Sequence, residues 1–121
     1  MPQGLLGYTL PNPVPDNLTH WWQGQSGYWY IHSAFKIDAI PPLLAANYIF
    51  VKRTNAGLCE AIYVGEAADL RERLKQHEKL WLAMMLGANE IHVHLLAEYR
   101  SDRLAIETDL RNAHPTLLNF Q

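Results

Sequence analysis

The chain has 121 residues, a formal net charge of −2 and a single cysteine, Cys59. This length suits one domain, and 49% hydrophobic against 18% charged residues is a folded rather than a disordered composition. One cysteine excludes an internal disulfide framework and favours a reducing compartment. The N-terminus lacks the basic start of a signal peptide, and no apolar run approaches the ~18 residues of a spanning helix. We therefore expect a cytoplasmic protein with no membrane segment.

Residues 1–45 predict an N-terminal extension that packs on the rest of the chain. Prolines and glycines are dense in residues 1–27, which predicts a loop or wrapping segment, and the run 28–32 predicts a short strand. Aromatic side chains between Trp21 and Tyr30 have three interpretations: anchors buried on the core, platforms for unpaired bases, or the interface of a homodimer. Anchoring is favoured, because the first lysine or arginine is Lys36.

A β-hairpin followed by two helices is predicted from residue 46 onwards. Residues 47–52 and 61–64 are rich in β-branched and aromatic side chains, and turn-forming residues lie between them. The second strand ends at Gly65, which lets another group approach closely because it has no side chain. Asp69 is the expected N-cap of a helix over 69–77. A second helix is expected over 79–86.

Clean alternation over residues 90–96 predicts a further strand, on which His92 and His94 share one face. Two such imidazoles can bind a metal, but no third ligand follows at a convincing spacing, so a polar sheet face is favoured. A last helix is expected from Ser101 or Asp102 to about Asn112. The predicted fold class is α/β (α+β), with a small three-stranded antiparallel sheet flanked by helices and an aromatic N-terminal extension.

Three short patterns lie within residues 46–121. The tripeptide Tyr63-Val64-Gly65 ends the second strand. The helix that follows reads Asp69-Leu70-Arg71-Glu72-Arg73-Leu74 with His77, and a late acid-proline-amide pattern reads Glu107, Pro115 and Asn119. In these patterns residues 46–121 resemble the GIY-YIG nuclease domain, whose second half-motif is the tripeptide, and the rest of the chain is the extension. The first half-motif has two possible alignments, one that puts Phe50 at the tyrosine position and one that keeps Tyr48. Positions 48 and 50 share a sheet face, so Tyr48 can reach the site in both.

The resemblance implies a metal-dependent endonuclease that hydrolyses phosphodiester bonds of nucleic acid, DNA above all. Its implied catalytic residues are Tyr63 as base or positioner of the base, Arg73 on the scissile phosphate, His77 in proton transfer, and Tyr48. Glu107 would bind a single Mg²⁺ or Mn²⁺ ion, and Gly65 and Asn119 would support the site. Residue chemistry agrees: guanidinium groups grip phosphates bidentately, and Mg²⁺ prefers carboxylate oxygens. A free tyrosine titrates near ~10, so nearby cations must lower its pKa before it can act as a base at neutral pH.

Other interpretations of these residues remain open. Arg71, Lys75 and Lys79 are either a nucleic-acid-binding strip or an ordinary solvated helix face, and the acidic net charge argues against strong non-specific binding. Glu107 can equally belong to a surface ion-pair ladder along its helix. The alternative function is a GIY-YIG-like fold that no longer cuts and acts as a nucleic-acid-binding or protein-interaction module. A nuclease needs its base, arginine and carboxylate to converge; a module does not.

Overall fold

A five-stranded antiparallel sheet is the centre of the fold. The computed structural model describes residues 18–120. Its strands are β1 (Leu18–Gln23), β2 (Trp29–Lys36), β3 (Ala46–Arg53), β4 (Cys59–Ala67) and β5 (Glu90–His94), and its helices are α1 (Leu70–Lys75), α2 (Glu78–Met85) and α3 (Arg100–Ala113), followed by a 3₁₀ turn over Leu117–Phe120. The strands lie in the order β1-β2-β5-β3-β4. Within residues 18–120, no helix is both long and apolar enough to cross a bilayer.

The predicted three-stranded sheet is wrong, because the sheet continues beyond β5. Strand β2 pairs with β5 through Ser33 and Val93, and β1 pairs with β2 in turn. The composition of residues 1–27 concealed β1: its prolines all precede the strand, and Gly24 and Gly27 lie in the turn after it. Gly27 has a φ of 92°, which suits a tight turn. Pairing with β2 also satisfies the backbone groups that β5 would otherwise leave at an open edge.

The hairpin and the caps follow the predictions from residue 46 onwards. Strands β3 and β4 pair through a turn in which Gly57 has a φ of 86°. The Asp69 side chain accepts a hydrogen bond from the Glu72 backbone, so the predicted N-cap of α1 is confirmed. Helix α1 ends at Lys75, however, and a separate helix begins at Glu78. The helix predicted over 69–77 is therefore shorter than expected and ends before His77, and the separate second helix expected over 79–86 is confirmed at Glu78–Met85.

Each face of the sheet has its own apolar core. The first face packs against α1, α2 and the 3₁₀ turn, and its fully buried side chains include Tyr48, Phe50, Leu70, Ile91 and Val93. The second face packs against α3, through Trp22, Ile49, Val51, Val64 and Leu110. Trp22 is thus an anchor of the N-terminal region, as the favoured interpretation predicts.

His92 and His94 share one polar face of β5, as predicted, but both side chains are buried beneath aromatic neighbours. Trp22 on β1 contacts His92, with 5.7 Å between ring centroids. Tyr30 on β2 contacts His94 at 5.6 Å. The second face is therefore a buried polar and aromatic layer beside the apolar core.

Candidate active site

Tyr48 is buried at the centre of the sheet, directly against Gly65. The β3–β4 register pairs Tyr48 with Gly65 and Phe50 with Tyr63, so their side chains meet on the first face. A Cβ atom added to Gly65 would lie 2.6 Å from both the hydroxyl oxygen and the Cζ atom of Tyr48. The close approach predicted at Gly65 is confirmed, and the group that approaches is the Tyr48 ring.

Tyr48 carries the hydroxyl of the first half-motif, whichever alignment is used. Phe50 stacks on Tyr63, with 5.6 Å between ring centroids and 28° between ring planes. The Tyr48 hydroxyl oxygen instead lies 2.6 Å from Nε2 of His77. Tyr48 and Phe50 lie on one face of the sheet, as their spacing predicts, but only Tyr48 offers a polar group.

His77 is held in one tautomer by the start of α2. Its Nδ1 accepts a hydrogen bond of 3.1 Å from the Lys79 backbone N–H, so the neutral ring carries its proton on Nε2. Nε2–H therefore donates to the Tyr48 oxygen. Burial, together with the charge of Arg73, lowers the pKa of His77 to about 4. His77 is consequently a neutral hydrogen-bond donor at pH 7 rather than a proton acceptor.

The hydrogen-bonded chain continues from Tyr48 to Tyr63. The Tyr48 hydroxyl donates to Tyr63, and burial raises the pKa of Tyr48 well above its ordinary value. Burial also raises the pKa of Tyr63, while the positive charge of Arg73 lowers it and the negative charge of Glu107 raises it. The charges of Arg73 and Glu107 thus act on both tyrosines, and Tyr63 is the less buried of the two.

Arg73 reaches the two tyrosines from α1. His77 is the N-cap of α2, so the prediction that it shares a helix face with Arg73 is wrong, although the charge of Arg73 still acts on both His77 and Tyr48. Nη1 of Arg73 lies 3.4 Å from Oε2 of Glu78, whose side chain is exposed. The guanidinium borders an open depression of about 500 Å³ that is also lined by Glu78. A phosphate would reach Arg73 by displacing this exposed carboxylate.

Glu107 approaches from α3 and lies against the outer edge of β4. Burial raises the pKa of its carboxyl, and the negative charge of Glu66 adds to this. Two contacts lower the pKa of Glu107 and so oppose this rise. Nη1 of Arg111 lies 3.8 Å from Oε1 of Glu107, and the Glu66 backbone donates a hydrogen bond to the carboxylate. The ion-pair ladder predicted along α3 contains Arg103, Glu107 and Arg111. Arg103 does not take part in it, because its side chain is buried and lies 3.2 Å from the carboxylate of Glu66.

Asn119 closes the same edge of β4. Its Oδ1 accepts from the Val64 N–H at 2.9 Å, and its Nδ2 donates to the Val64 carbonyl at 2.8 Å. Thr116 donates to the Asn119 Oδ1 atom, and Arg111 donates to the Asn119 carbonyl. This side chain therefore fixes the C-terminal turn against the strand that carries Tyr63.

The Glu107 carboxylate fits a hard divalent cation. It is a partly buried oxygen donor that already feels a second carboxylate, and Mg²⁺ commonly binds through one or two carboxylates with water and phosphate. A second candidate metal site lies on the other face of the sheet. It consists of Cys59, Glu90 and His92, whose possible ligand atoms lie within 4.8 Å of one another. There, however, the Arg53 guanidinium donates one hydrogen bond to each carboxylate oxygen of Glu90, so both oxygens are already occupied.

The predicted basic strip has the contacts of a solvated helix face. Arg71 lies 3.9 Å from carboxylate oxygens of both Asp69 and Glu72. Lys75 lies 3.0 Å from Glu72. Lys79 contributes its backbone N–H to His77. A nucleic-acid role for Arg71, Lys75 and Lys79 stays a prediction.

The structure brings most of the predicted site residues together, from β3, β4, α1, the start of α2 and α3. Tyr48, Tyr63, His77, Arg73 and Glu107 act on one another, with Gly65 and Asn119 beside them. The sequence did not reveal two further residues of the site. Glu66 donates its backbone N–H to Glu107, which only the fold brings near it, and Glu78 is the exposed partner of Arg73. No protein-family model, curated protein or solved structure matches this chain.

Proposed function

We propose that this chain is a metal-dependent endonuclease of the GIY-YIG type, which hydrolyses phosphodiester bonds of nucleic acid, DNA in the first place. The observation that carries the proposal is the pair of opposite charges that act on Tyr63. Arg73 and Glu107 lie on different helices, yet both shift the pKa of this hydroxyl and that of its neighbour Tyr48. A purely structural tyrosine needs neither charge, whereas phosphodiester hydrolysis uses a base, a cation for the phosphate and a metal-binding carboxylate.

In this reaction a water oxygen forms a bond to phosphorus while the bond from phosphorus to the leaving oxygen breaks. The water proton passes to the Tyr63 phenolate, and the leaving oxygen takes a proton from solvent. Arg73 binds a non-bridging oxygen after releasing Glu78, and its planar fork suits that geometry. A Mg²⁺ or Mn²⁺ ion bound to Glu107 supplies further positive charge for the phosphate and the leaving oxygen.

Two hydrogen-bond donors in series favour the phenolate form of Tyr63. The Tyr48 hydroxyl donates to the Tyr63 oxygen, and His77 Nε2–H donates to Tyr48. Tyr48 stays protonated because its own pKa is raised by burial. In this scheme His77 and Tyr48 are positioning residues: they hold a polarised O–H on the base and do not remove the proton themselves.

Cleavage of plasmid and single-stranded DNA with Mg²⁺ or Mn²⁺ tests the proposal. We expect Glu107→Gln and Arg73→Ala each to lower the cleavage rate by at least about 100-fold, the usual effect of removing one transition-state contact. The matched controls Glu98→Gln and Arg100→Ala change exposed residues of the same types. They should cut like the wild type. Folded wild-type protein that cuts nothing would refute the nuclease, and cutting that survives both substitutions would refute the assignment of the site.

A non-cutting interaction module is the second candidate, and one observation favours it. An open groove of about 530 Å³ is lined by Trp21, Tyr28 and Trp29 on the other side of the sheet. Tyr28 and Trp29 are exposed there, as stacking on unpaired bases requires. Quenching of tryptophan fluorescence by single-stranded DNA, without cleavage, would support the module. A sizing column tests the predicted homodimer through the same aromatic segment.

A further inference from the structure

A row of polar side chains crosses the sheet on the face that α3 covers. Strand register places its members next to one another on successive strands: His20, His32, His94, Asn47 and Glu66. We call these five residues the polar row. Its three central members are almost inaccessible to solvent, with exposed fractions of 0% for His32, 5% for His94 and 1% for Asn47. Buried polar groups in such a layer need partners, so their hydrogen bonds can be followed one by one.

Two acceptors of the polar row have no partner. Within residues 18–120, the buried side-chain atoms without a hydrogen bond are Nε2 of His32 and Oδ1 of Asn47. Nδ1 of His32 lies 3.0 Å from the Tyr30 carbonyl and must carry the proton, which leaves a bare lone pair on Nε2. Asn47 donates through Nδ2 to the Arg103 carbonyl. An unsatisfied buried acceptor typically costs about 1–3 kcal/mol, so two in the same row indicate a missing partner.

His94 lies between these two acceptors and has the same tautomer as His32. Its Nδ1 lies 2.7 Å from the Ile31 carbonyl, so Nδ1–H donates and Nε2 presents a lone pair. Histidines that bind metals almost always donate the other ring N–H to a carboxylate, carbonyl or water. Both rings meet this condition through backbone carbonyls of β2.

The spacing of the two rings matches a shared ion. A metal–nitrogen distance of about 2.05 Å places the ion ~3.2 Å from each ring centroid, and a tetrahedral angle then separates the centroids by ~5.2 Å. The centroids of His32 and His94 are 5.4 Å apart, with planes tilted by 39°. His94 also lines the aromatic groove, which gives an entry path from solvent.

We propose that His32 Nε2 and His94 Nε2 bind a divalent transition-metal ion of the zinc class, with Asn47 Oδ1 as a third ligand and water from the groove as the fourth. The ion ties β2, β5 and β3 together across the centre of the sheet. This site differs from the one at Glu107, because two imidazoles select zinc-class ions whereas a carboxylate suits Mg²⁺. It does not depend on the proposed nuclease function.

The neighbouring histidine on β5 does not compete for this role. Nδ1 of His92 accepts from the Trp22 Nε1–H at 2.9 Å, and its Nε2 lies 2.8 Å from Glu90. Both of its nitrogens are therefore occupied. The His-x-His pair on β5, for which the sequence favours a polar sheet face, thus contributes only His94 to the proposed site, and the second imidazole is His32 on β2.

Titration of the chelator-treated full chain with Co²⁺ tests the site. We expect one ion per chain and the visible absorption of four-coordinate cobalt. His32→Gln and His94→Gln should each weaken binding by at least about 100-fold, since losing a ligand exceeds the 10–100-fold effect of losing an outer-shell partner. The control His114→Gln alters a histidine outside the polar row and should bind like the wild type. Wild-type protein without four-coordinate absorption, or absorption lost in Glu107→Gln but kept in both histidine variants, would overturn the proposal.

A measurement on the wild type keeps the test decisive if the buried substitutions unfold the chain. Zinc added to ¹⁵N-labelled protein should move the Nε2 resonances of His32 and His94 and leave their Nδ1–H resonances in place. An unchanged histidine spectrum at saturating Zn²⁺, or shifts confined to other histidines, would overturn the assignment.

Discussion

Replacing Gly65 with alanine should uncouple Tyr48 from His77. The added Cβ would lie 2.6 Å from two atoms of the Tyr48 ring, and that ring is buried, so it must move. Overpacking of this kind costs about 1–3 kcal/mol, and loss of the 2.6 Å hydrogen bond to His77 adds about 0.5–1.5 kcal/mol. Alanine also lowers the conformational entropy of the unfolded chain, which stabilises the folded state by about 0.4–1 kcal/mol. The net loss is about 2–3 kcal/mol.

Urea unfolding followed by circular dichroism measures this loss. With a slope of about 1.5 kcal/mol per molar urea, the midpoint should fall by about 1.5 M. Gly57→Ala is the matched control, because Gly57 has a φ of 86° and no atom within 4 Å of an added Cβ. That control strains the backbone but leaves Tyr48 in place. Truncation of the ring in Tyr48→Leu should relieve the clash, so the double variant should lose less than the sum of the single variants. A Gly65→Ala midpoint within 0.3 M of the wild type, on the order of ±0.5 kcal/mol, would refute the steric reasoning.

Two further predictions concern pH. If Tyr63 is the base, kcat/KM for DNA cleavage should rise about tenfold per pH unit from roughly pH 6 to 9, because burial holds the Tyr63 pKa above its ordinary value; a plateau beginning near pH 7 would instead indicate a histidine base. Burial lowers the pKa of His92 from 6.5 to about 4, so the unfolded chain binds more protons between these values and stability is lost as pH falls through them. This loss amounts to about 3 kcal/mol at most, and chemical denaturation of His92→Gln from pH 7 to 4 should show a shallower decline than the wild type. An equal decline in both proteins would contradict the assignment to His92.

Local chemistry explains why the second half of the fold could be predicted. The centres of strands β3 and β4 are β-branched and aromatic, and the turn between the strands contains Gly57 at positive φ. Asp69 caps α1 through a hydrogen bond within its own turn. Such signals need no knowledge of distant residues, and they gave the order of elements after residue 46 correctly.

Contacts between distant residues explain what the sequence concealed. The turn between β1 and β2 is fixed by Asp109, 83 residues away from Ser26, through hydrogen bonds of 2.7 and 2.8 Å. Burial of His92 depends on Trp22, which is 70 residues away. Alternation on β5 correctly assigned its two faces, but it could not show that aromatic side chains from β1 and β2 cover the polar one.

In the candidate site, too, local signals predicted some positions, whereas contacts between distant residues determine others. Residues of the GIY-YIG-like motifs lie together as expected, because the hairpin and α1 position Tyr63 and Arg73 locally. The end of α1 before His77 was not visible in the sequence, since its cause is tertiary: His77 caps α2 and reaches the buried Tyr48. Helical spacing alone would have kept His77 on the face of α1.

The contacts along the outer edge of β4 also bear on self-association. An open strand edge can pair with another chain, and natural sheets protect such edges. Asn119 makes with Val64 the two hydrogen bonds that a sixth strand would make, and Glu107 takes the next outward N–H at Glu66. The same two side chains that border the candidate site thus also occupy the open edge of β4. We therefore expect Glu107 and Asn119 to keep separate molecules from joining edge to edge.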